Sequence, residues 1–439
     1  MATVCIDGFN LALAKGSGIA TYGRNLLHNL RDIGLETQVL YGPASARSKN
    51  DLLNEIALTD AFQPSKENRR IQRYLEARIS RFGRRAFGIE PSDEVIWPAA
   101  MGGRPAADAF WSSPRLFDTA NKAFRKYRDF TPLTLEPHAG IAQPDVIHWT
   151  TLLPVHAAKS VNLYTIHDLI PLRLPHTTLD NKRVFLSLCK QVARRADHIT
   201  VVSETTRNDV IRLLGVDEDR VTNTYQSVSI PPALLERTDK DIAAEIDGVF
   251  DLAWKGYFLY FGAIEPKKNL ARIVEAYLAS GSNLPLVVIG GRAWLDQDET
   301  ALMSQATKAQ SQSRSDKALR IRQYEFMPFA MLVSLIRGAR ATLFPSLYEG
   351  FGLPVLESML LGTPVLTSTA ASLPEVAGDA ALMMDPYDTQ GIAMGIRQLD
   401  ADIDLCAELS ARGRIQAAKF SPAAYQSRLR DLYARLGVS

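Results

Sequence analysis

Three groups of residues in this chain have the types and spacing for chemistry on a phosphorylated, hydroxyl-rich ligand. The first is Leu343-Phe-Pro-Ser-Leu-Tyr-Glu-Gly-Phe-Gly-Leu-Pro-Val-Leu-Glu357, where Glu349 and Glu357 flank Gly350, Phe351, Gly352, Leu353 and Pro354. Carboxylates repel phosphate but accept from vicinal hydroxyls, as an acidic residue does on ribose in dinucleotide folds. The same pair also reads as a loop charge followed by a helix-capping carboxylate. The second group is Lys267-Lys268-Asn269. Two cations at a helix N-terminus oppose the helix dipole, a mismatch that a bound diphosphate relieves; two solvated lysines are the alternative. The third is His167-Asp168, at the end of the apolar run Leu163 to Ile166. Polar residues at the carboxyl end of a parallel strand stand where α/β folds place ligands, although a histidine there can equally be structural.

Each group needs elements that position it. Ala341 to Phe344 reads as a strand and Pro345 to Gly352 as a loop broken by proline and glycine. Pro354 suits the first position of a helix, where a missing N–H costs nothing. That helix is expected to carry Glu357 in its first turn and to stop at Gly362, a usual C′ residue. Glycine loop and helix N-terminus together make an anion site. Tyr257 to Gly262 is a second strand reaching a glycine, with a helix beginning near Asn269. Thr3 to Ile6 is a third, followed by Gly8, Gly16, Ser17 and Gly18 and then a helix over Ile19 to Leu30. Gly16 and Gly18 either make the turn or admit a ligand. Ser203 reads as the cap of a helix over Thr205 to Leu214.

Two strand–glycine–helix openings in 439 residues predict an α/β protein of two Rossmann-like domains. The first is expected over residues 1–235, the second over 236–420, with a linker near Ile230 to Lys255 and a terminal helix over 421–439. Residues 44–140 fit the pattern poorly and are expected to be a basic helical insertion without core strands. Seven arginines fall between Arg69 and Arg85 against Glu76 as the only acid, and Ile71, Leu75, Ile79 and Phe82 recur at helical spacing. Such a helix can lie on an anionic membrane face, pack as a solvated face on its own domain, or offer arginine to a pyrophosphate.

A net charge of +2 gives no global reason to expect nucleic acid as a partner. Cys5, Cys189 and Cys406 are too dispersed for a metal-ligand pattern and suit a reducing compartment. The sequence has no apolar run of membrane-spanning length. Met-Ala-Thr-Val-Cys-Ile-Asp enters a strand without a basic, apolar leader. A cytoplasmic location is expected.

The 343–357 stretch resembles the Glu-x7-Glu motif of the family-4 retaining glycosyltransferases, which have the GT-B fold. The resemblance extends to Gly262-Ala-Ile-Glu-Pro-Lys-Lys-Asn269, Ile166-His-Asp-Leu-Ile-Pro171, Gly16-Ser-Gly-Ile-Ala-Thr-Tyr22 and Leu373-Pro-Glu-Val376. It implies a donor nucleotide diphospho-sugar on the second domain and an acceptor on the first, reacting in the cleft between them. By this resemblance Lys268 and Lys267 bind the diphosphate, Glu349 orients the sugar and loop, Glu357 holds the ribose and His167 contacts the sugar. Gly16, Ser17 and Gly18 approach the donor phosphates, Gly350 to Leu353 line the donor, and Phe326 and Met327 reach the nucleobase. Family members often carry Arg where this chain has Ala263. No Asp-x-Asp motif stands at a strand end, so neither a catalytic metal nor a cofactor is expected. The motif forms look like those of bacterial polysaccharide mannosyltransferases, which implies GDP-mannose as donor, with a UDP-sugar or GDP-fucose left open. The arginine-rich stretch leads to the expectation of a lipid-linked saccharide as acceptor and of contact with the cytoplasmic membrane face through Arg69 to Arg85. A nucleotide-sugar epimerase on the same fold and a non-catalytic sugar-nucleotide binding protein are the alternatives.

Overall fold

The computed structural model describes residues 2–12, 18–59, 76, 78–98, 102–136, 140–291 and 320–438. Ten strands form the first sheet: β1 (Thr3–Asp7), β2 (Glu36–Tyr41), β3 (Arg84–Ile89), β4 (Ala109–Ser112), β5 (Thr131–Glu136), β6 (Val146–Trp149), β7 (Val155–Ala157), β8 (Val161–Ile166), β9 (His198–Val201) and β10 (Val221–Asn223). Their order is β10-β9-β8-β6-β1-β2-β4-β3-β5-β7. All pairs are parallel except β3 with β4. The second sheet holds β11 (Phe258–Phe261), β12 (Leu286–Ile289), β13 (Ile321–Tyr324), β14 (Ala341–Phe344), β15 (Val365–Ser368) and β16 (Leu382–Met384). It is wholly parallel, in the order β13-β12-β11-β14-β15-β16. Parallel strands covered by helices on both faces need continuous apolar runs. Phe-Leu-Tyr-Phe of β11 and Leu-Val-Val-Ile of β12 supply them and are buried throughout.

Strand order reverses between β11 and β14 in the second sheet, and between β1 and β6 in the first. The crevice at the carboxyl ends of such strands is where open α/β sheets bind ligands. The loops after β11 and β14 carry Lys267, Lys268 and Glu349, and the strand ends at β1, β6 and β8 carry Asp7, Thr150 and His167.

The expectation for residues 44–140 is corrected. The segment contains helices at Asp51–Thr59 and Leu116–Tyr127, but it also contributes β3, β4 and β5 to the sheet. The basic stretch is not one helix. Residues 78–80 are helical, Gly83 turns the chain at φ +132°, and Arg84 and Arg85 open β3. Ile79 and Phe82 are 59% and 77% exposed, so they do not pack on their own domain. Arg69, Arg70, Arg73, Ile71 and Leu75 lie outside the described residues, as do Gly16 and Ser17.

The stretch expected as linker contains a helix, Asp239–Phe250, packed against helix Phe329–Gly338 of the second domain. Ser334 Oγ donates to Glu245 Oε2 at 2.5 Å and Arg237 Nη1 donates to the same oxygen at 2.9 Å. The terminal helix, Pro422–Arg435, returns to the first domain against helix Gly18–Asp32. Gln426 donates to Asp32 there at 3.1 Å.

Candidate active site

The loop after β11 is shaped by backbone contacts. Gly262 has φ +134°, and a Cβ on Gly290 would fall 1.9 Å from the Gly262 carbonyl, so the ends of β11 and β12 meet only as glycine against glycine. Pro266–Lys268 forms one tight helical turn, and Asn269 follows at φ +64°, a left-handed conformation that asparagine tolerates better than most residues. Its buried amide donates to the Pro345 carbonyl at 2.9 Å and the Pro386 carbonyl at 2.8 Å. Asn269 thereby ties the lysine turn to the glutamate loop, and Leu347 N–H donates to the Lys267 carbonyl at 2.8 Å as a second tie.

Within that frame Lys268 Nζ donates to Glu349 Oε1 at 2.6 Å. Burial alone would raise the Glu349 carboxyl, but Lys268 and Lys267 hold it below the usual range, so it is a carboxylate at neutral pH. Lys267 lies 3.4 Å from Glu265. Burial works against its charge, while Asp168, Glu349 and Glu265 outweigh that effect and raise its pKa. The Lys267 ammonium is therefore charged, and both lysines are partly accessible.

Glu357 differs. Its helix runs Leu353–Leu360 with Pro354 at the second position, so Glu357 sits one turn in and not in the first turn. Burial pushes its carboxyl up to about 7, only partly offset by Lys268. Gly352, at φ +112°, lets the chain enter this helix; a Cβ there would also meet Leu373 at 2.8 Å. Phe351 does not face a ligand with its ring, which is buried edge-on against Phe420 and tilted against Tyr225. Ser372, fully buried, places its hydroxyl 2.9 Å from the Glu349 carbonyl and 2.8 Å from the Phe351 carbonyl, where its one proton is shared between them, and fixes this loop from behind. Phe326 and Met327 follow β13; Phe326 is 81% exposed and Met327 partly buried.

From the first domain, His167 Nε2 lies 2.8 Å from the Thr150 carbonyl. A carbonyl can only accept, so Nε2 carries the proton. Burial lowers the His167 pKa, and the Thr150 bond and Asp168 only partly restore it. The neutral ring then presents Nδ1 as an acceptor. Asp7, fully buried at the end of β1, accepts from Thr150 N–H and from Phe9 N–H. Burial outweighs those bonds and pushes its carboxyl up to about 6. Gly18 is the exposed first residue of its helix.

The two domains meet around these groups. A Cβ on Gly350 would lie 2.3 Å from the His167 carbonyl oxygen. Thr206 Oγ1 lies 3.2 Å from that oxygen and 3.4 Å from the Gly350 carbonyl. Glu375 accepts from the backbone N–H of Glu204 at 2.9 Å and of Thr205 at 3.1 Å, so a second-domain carboxylate caps helix Glu204–Leu214. Tyr348 donates to Asp209, which also pairs with Arg173 at 3.3 Å. Ser203 does cap that helix, accepting from Thr206 N–H. Glu375 lies within Leu373-Pro-Glu-Val376, where nothing local marks the contact it makes, and the roles of Asp209, Tyr348 and Thr206 have no local signal in the sequence.

Two doubly wound sheets with facing switch-point crevices, and paired cations opposite a histidine, define a GT-B glycosyltransferase. Residues 253–416 match the family model for glycosyl transferases group 1, and residues 93–228 match that for glycosyltransferase family 4. The chain belongs to the family-4 glycosyltransferases and is a nucleotide-sugar-dependent enzyme. It is 33% identical over 274 residues to O-antigen chain mannosyltransferase B of Escherichia coli, spanning 61% of this chain and 68% of that protein. It is 30% identical over 278 residues to the serotype-specific mannosyltransferase WbdA of Escherichia coli, covering 62% of this chain but only 33% of that longer protein. Among solved structures, sucrose-phosphate synthase from Thermosynechococcus elongatus superposes with a TM-score of 0.65 at 17% identity, covering 99% of both chains. Anabaena HepE, in complex with UDP and glucose, superposes at 0.64 with 15% identity, covering 99% of this chain and all of that one. These two likenesses establish the fold.

Proposed function

We propose that the enzyme transfers mannose from GDP-mannose, with retention, to a hydroxyl of a lipid-linked saccharide in surface polysaccharide assembly. The observation that carries this is the Lys267–Lys268–Glu349 cluster facing His167 across the switch-point crevice. Similarity to an O-antigen chain mannosyltransferase and to a serotype-specific mannosyltransferase supports the sugar and the pathway class. The leaving group is a nucleoside diphosphate. Lys267 and Lys268, with the N-terminus of helix Leu353–Leu360, meet the charge that develops as the bond from the anomeric carbon to the phosphate oxygen breaks. The acceptor oxygen forms the new bond to that carbon, and its proton passes to the departing phosphate. Glu349 keeps Lys268 in place, and Lys267 supplies the charge that Ala263 does not. His167 accepts a sugar hydroxyl at Nδ1, and Glu357 accepts from the ribose. Titration calorimetry with GDP, UDP and ADP tests the donor: binding of GDP alone is expected, and preferential binding of UDP would overturn the guanosine assignment.

The acceptor's lipid places the enzyme at a membrane surface. Arg81 lies over the rings of Phe82 and Tyr127, at 5.3 and 4.9 Å, and Lys126 lies 5.3 Å from Tyr127. Exposed Ile79, Phe82, Arg78, Arg125 and Lys126 extend this face. Apolar side chains can enter the headgroup region while each cation near an anionic surface adds about 1 kcal/mol. Sedimentation with phosphatidylglycerol vesicles is expected to fall on changing Phe82→Ser with Lys126→Gln; unchanged sedimentation would remove the membrane contact. Among the described residues no helix is long and apolar enough to span a bilayer.

A further inference from the structure

The face of His167 turned from the cleft lies against the end of a buried polar chain that starts on the terminal helix. Tyr433, on that helix, places its hydroxyl 2.8 Å from His148 Nδ1 on β6. His148 Nε2 lies 2.7 Å from Thr165 Oγ1 on β8, and the Thr165 hydroxyl lies 3.1 Å from the Tyr22 hydroxyl. The Tyr22 ring then meets the His167 ring edge-on, with centroids 4.8 Å apart and planes at 90°. Tyr433, His148, Thr165 and Tyr22 are all at most 2% exposed. Burial, and secondarily the nearby His167, pushes the His148 pKa down to about 3, so the ring is neutral.

A neutral imidazole has one donor and one acceptor, and each hydroxyl has one proton. Two arrangements complete all three bonds. Tyr433 donates to Nδ1, Nε2–H donates to Thr165, and Thr165 donates to Tyr22; or every donor in the chain reverses. A buried chain of this kind is costly if any member is missing, since its neighbours then lose partners where water cannot replace them. It therefore holds the Tyr22 ring in one place.

We propose that Tyr22 is a positioning residue that couples docking of the terminal helix to the orientation of His167 in the cleft. The inference rests on His167 being the sugar-facing histidine. His167 is held on one edge by Thr150 and on a second side by Tyr22, leaving Nδ1 directed by both. The terminal helix, 285 residues from His148 at Tyr433, thus reaches the site through two hydroxyls and two rings.

The test uses the full chain with ring-15N histidine and follows the imidazole resonances by NMR, with His167 assigned by its loss in a His167→Gln variant. Tyr433→Phe and Tyr22→Phe keep their rings and remove one hydroxyl each. Both are expected to shift the His167 resonances while those of His156 and His176 stay in place. A folded Tyr433→Phe or Tyr22→Phe protein whose His167 resonances match the wild type would overturn the coupling. Tyr22→Leu removes the ring as well. Its rate of GDP release from GDP-mannose, with water taking the mannosyl group in place of the saccharide hydroxyl, is expected to fall about tenfold in kcat, as a misplaced catalytic group would produce, with GDP affinity unchanged. Weaker GDP binding with unchanged kcat would contradict the role. If the wild type binds no GDP, the donor reading fails, and the NMR comparison still decides the coupling.

Discussion

The carbonyl oxygen of His167 occupies the space that a Cβ on residue 350 would need, 2.3 Å from its position. One glycine therefore sets how closely the loop after β14 in the second domain approaches the strand end of β8 in the first, the proposed donor and sugar sides of the cleft. Gly350→Ala must push the domains apart or bend the loop that holds Glu349. The expected outcome is a loss of about 100-fold in kcat, the scale of a 1 Å misplacement at a reacting centre. GDP binding to the second domain alone should change little. Steady-state kinetics beside calorimetry would separate the two, and near-normal turnover would show that the close approach is unnecessary.

Lys268 and Glu349 test the electrostatics. Lys268→Met removes a cation aimed at the leaving diphosphate and leaves Glu349 buried without its 2.6 Å partner. A fall of about 100- to 1000-fold in kcat is expected, the range for losing one preorganised stabilising group. Glu349→Gln keeps the shape and leaves Lys268 charged, so its thermal stability should stay nearer the wild type than that of Lys268→Met. Measuring melting temperature and donor turnover on both variants checks the ordering.

How much of this was legible in the sequence depends on distance along the chain. Lys267 and Lys268 could be placed because they follow an apolar strand and Gly262 within a few residues, and Glu349 because it follows an apolar strand and directly precedes Gly350, patterns set by local backbone chemistry. The segment from Arg69 to Phe87 misled. Its arginines and spaced apolar residues fit a helix, but Gly83 breaks the run and the strands β3 to β5 are short enough to hide beside it. Tyr348 and Asp209 are 139 residues apart, and no periodicity links a tyrosine in one domain to an aspartate in the other. The polar chain from Tyr433 to Tyr22 was hidden for the same reason, since it forms only once the terminal helix has returned across the fold.

If Glu357 holds the ribose as proposed, donor binding is expected to depend on pH. Its carboxyl is raised from 4.5 to about 7 in the folded protein. The folded state without ligand therefore binds a proton more tightly than the unfolded chain. That contribution to stability is fully present below pH 4.5 and is lost as pH rises through about 7. Ribose hydroxyls donate best to the ionised form, so nucleotide affinity should rise over the same interval. Glu357→Gln should flatten both trends. Melting curves and GDP titrations at pH 5.5, 6.5 and 7.5 would show it, and parallel pH profiles for variant and wild type would exclude Glu357 as the group responsible.

Glu375 caps a helix of the opposite domain and so favours the closed arrangement. Glu375→Ala leaves the Glu204 and Thr205 N–H groups without that acceptor, at a cost of about 1 kcal/mol. Closed and open populations should shift accordingly, seen as a larger radius of gyration in small-angle scattering and a higher KM for donor. An unchanged radius and KM would mean that other contacts, such as Tyr348 with Asp209, suffice for closure.

The most direct measurement is release of nucleoside diphosphate from GDP-mannose, compared with UDP-glucose, by the wild-type chain and by Lys268→Met, with water taking the sugar in place of the saccharide hydroxyl. Release of GDP from GDP-mannose by the wild type, little release from UDP-glucose, and a loss of about 100-fold or more in the variant are expected. Faster turnover of UDP-glucose, or a Lys268→Met enzyme as active as the wild type, would contradict the donor and the diphosphate site assigned to it.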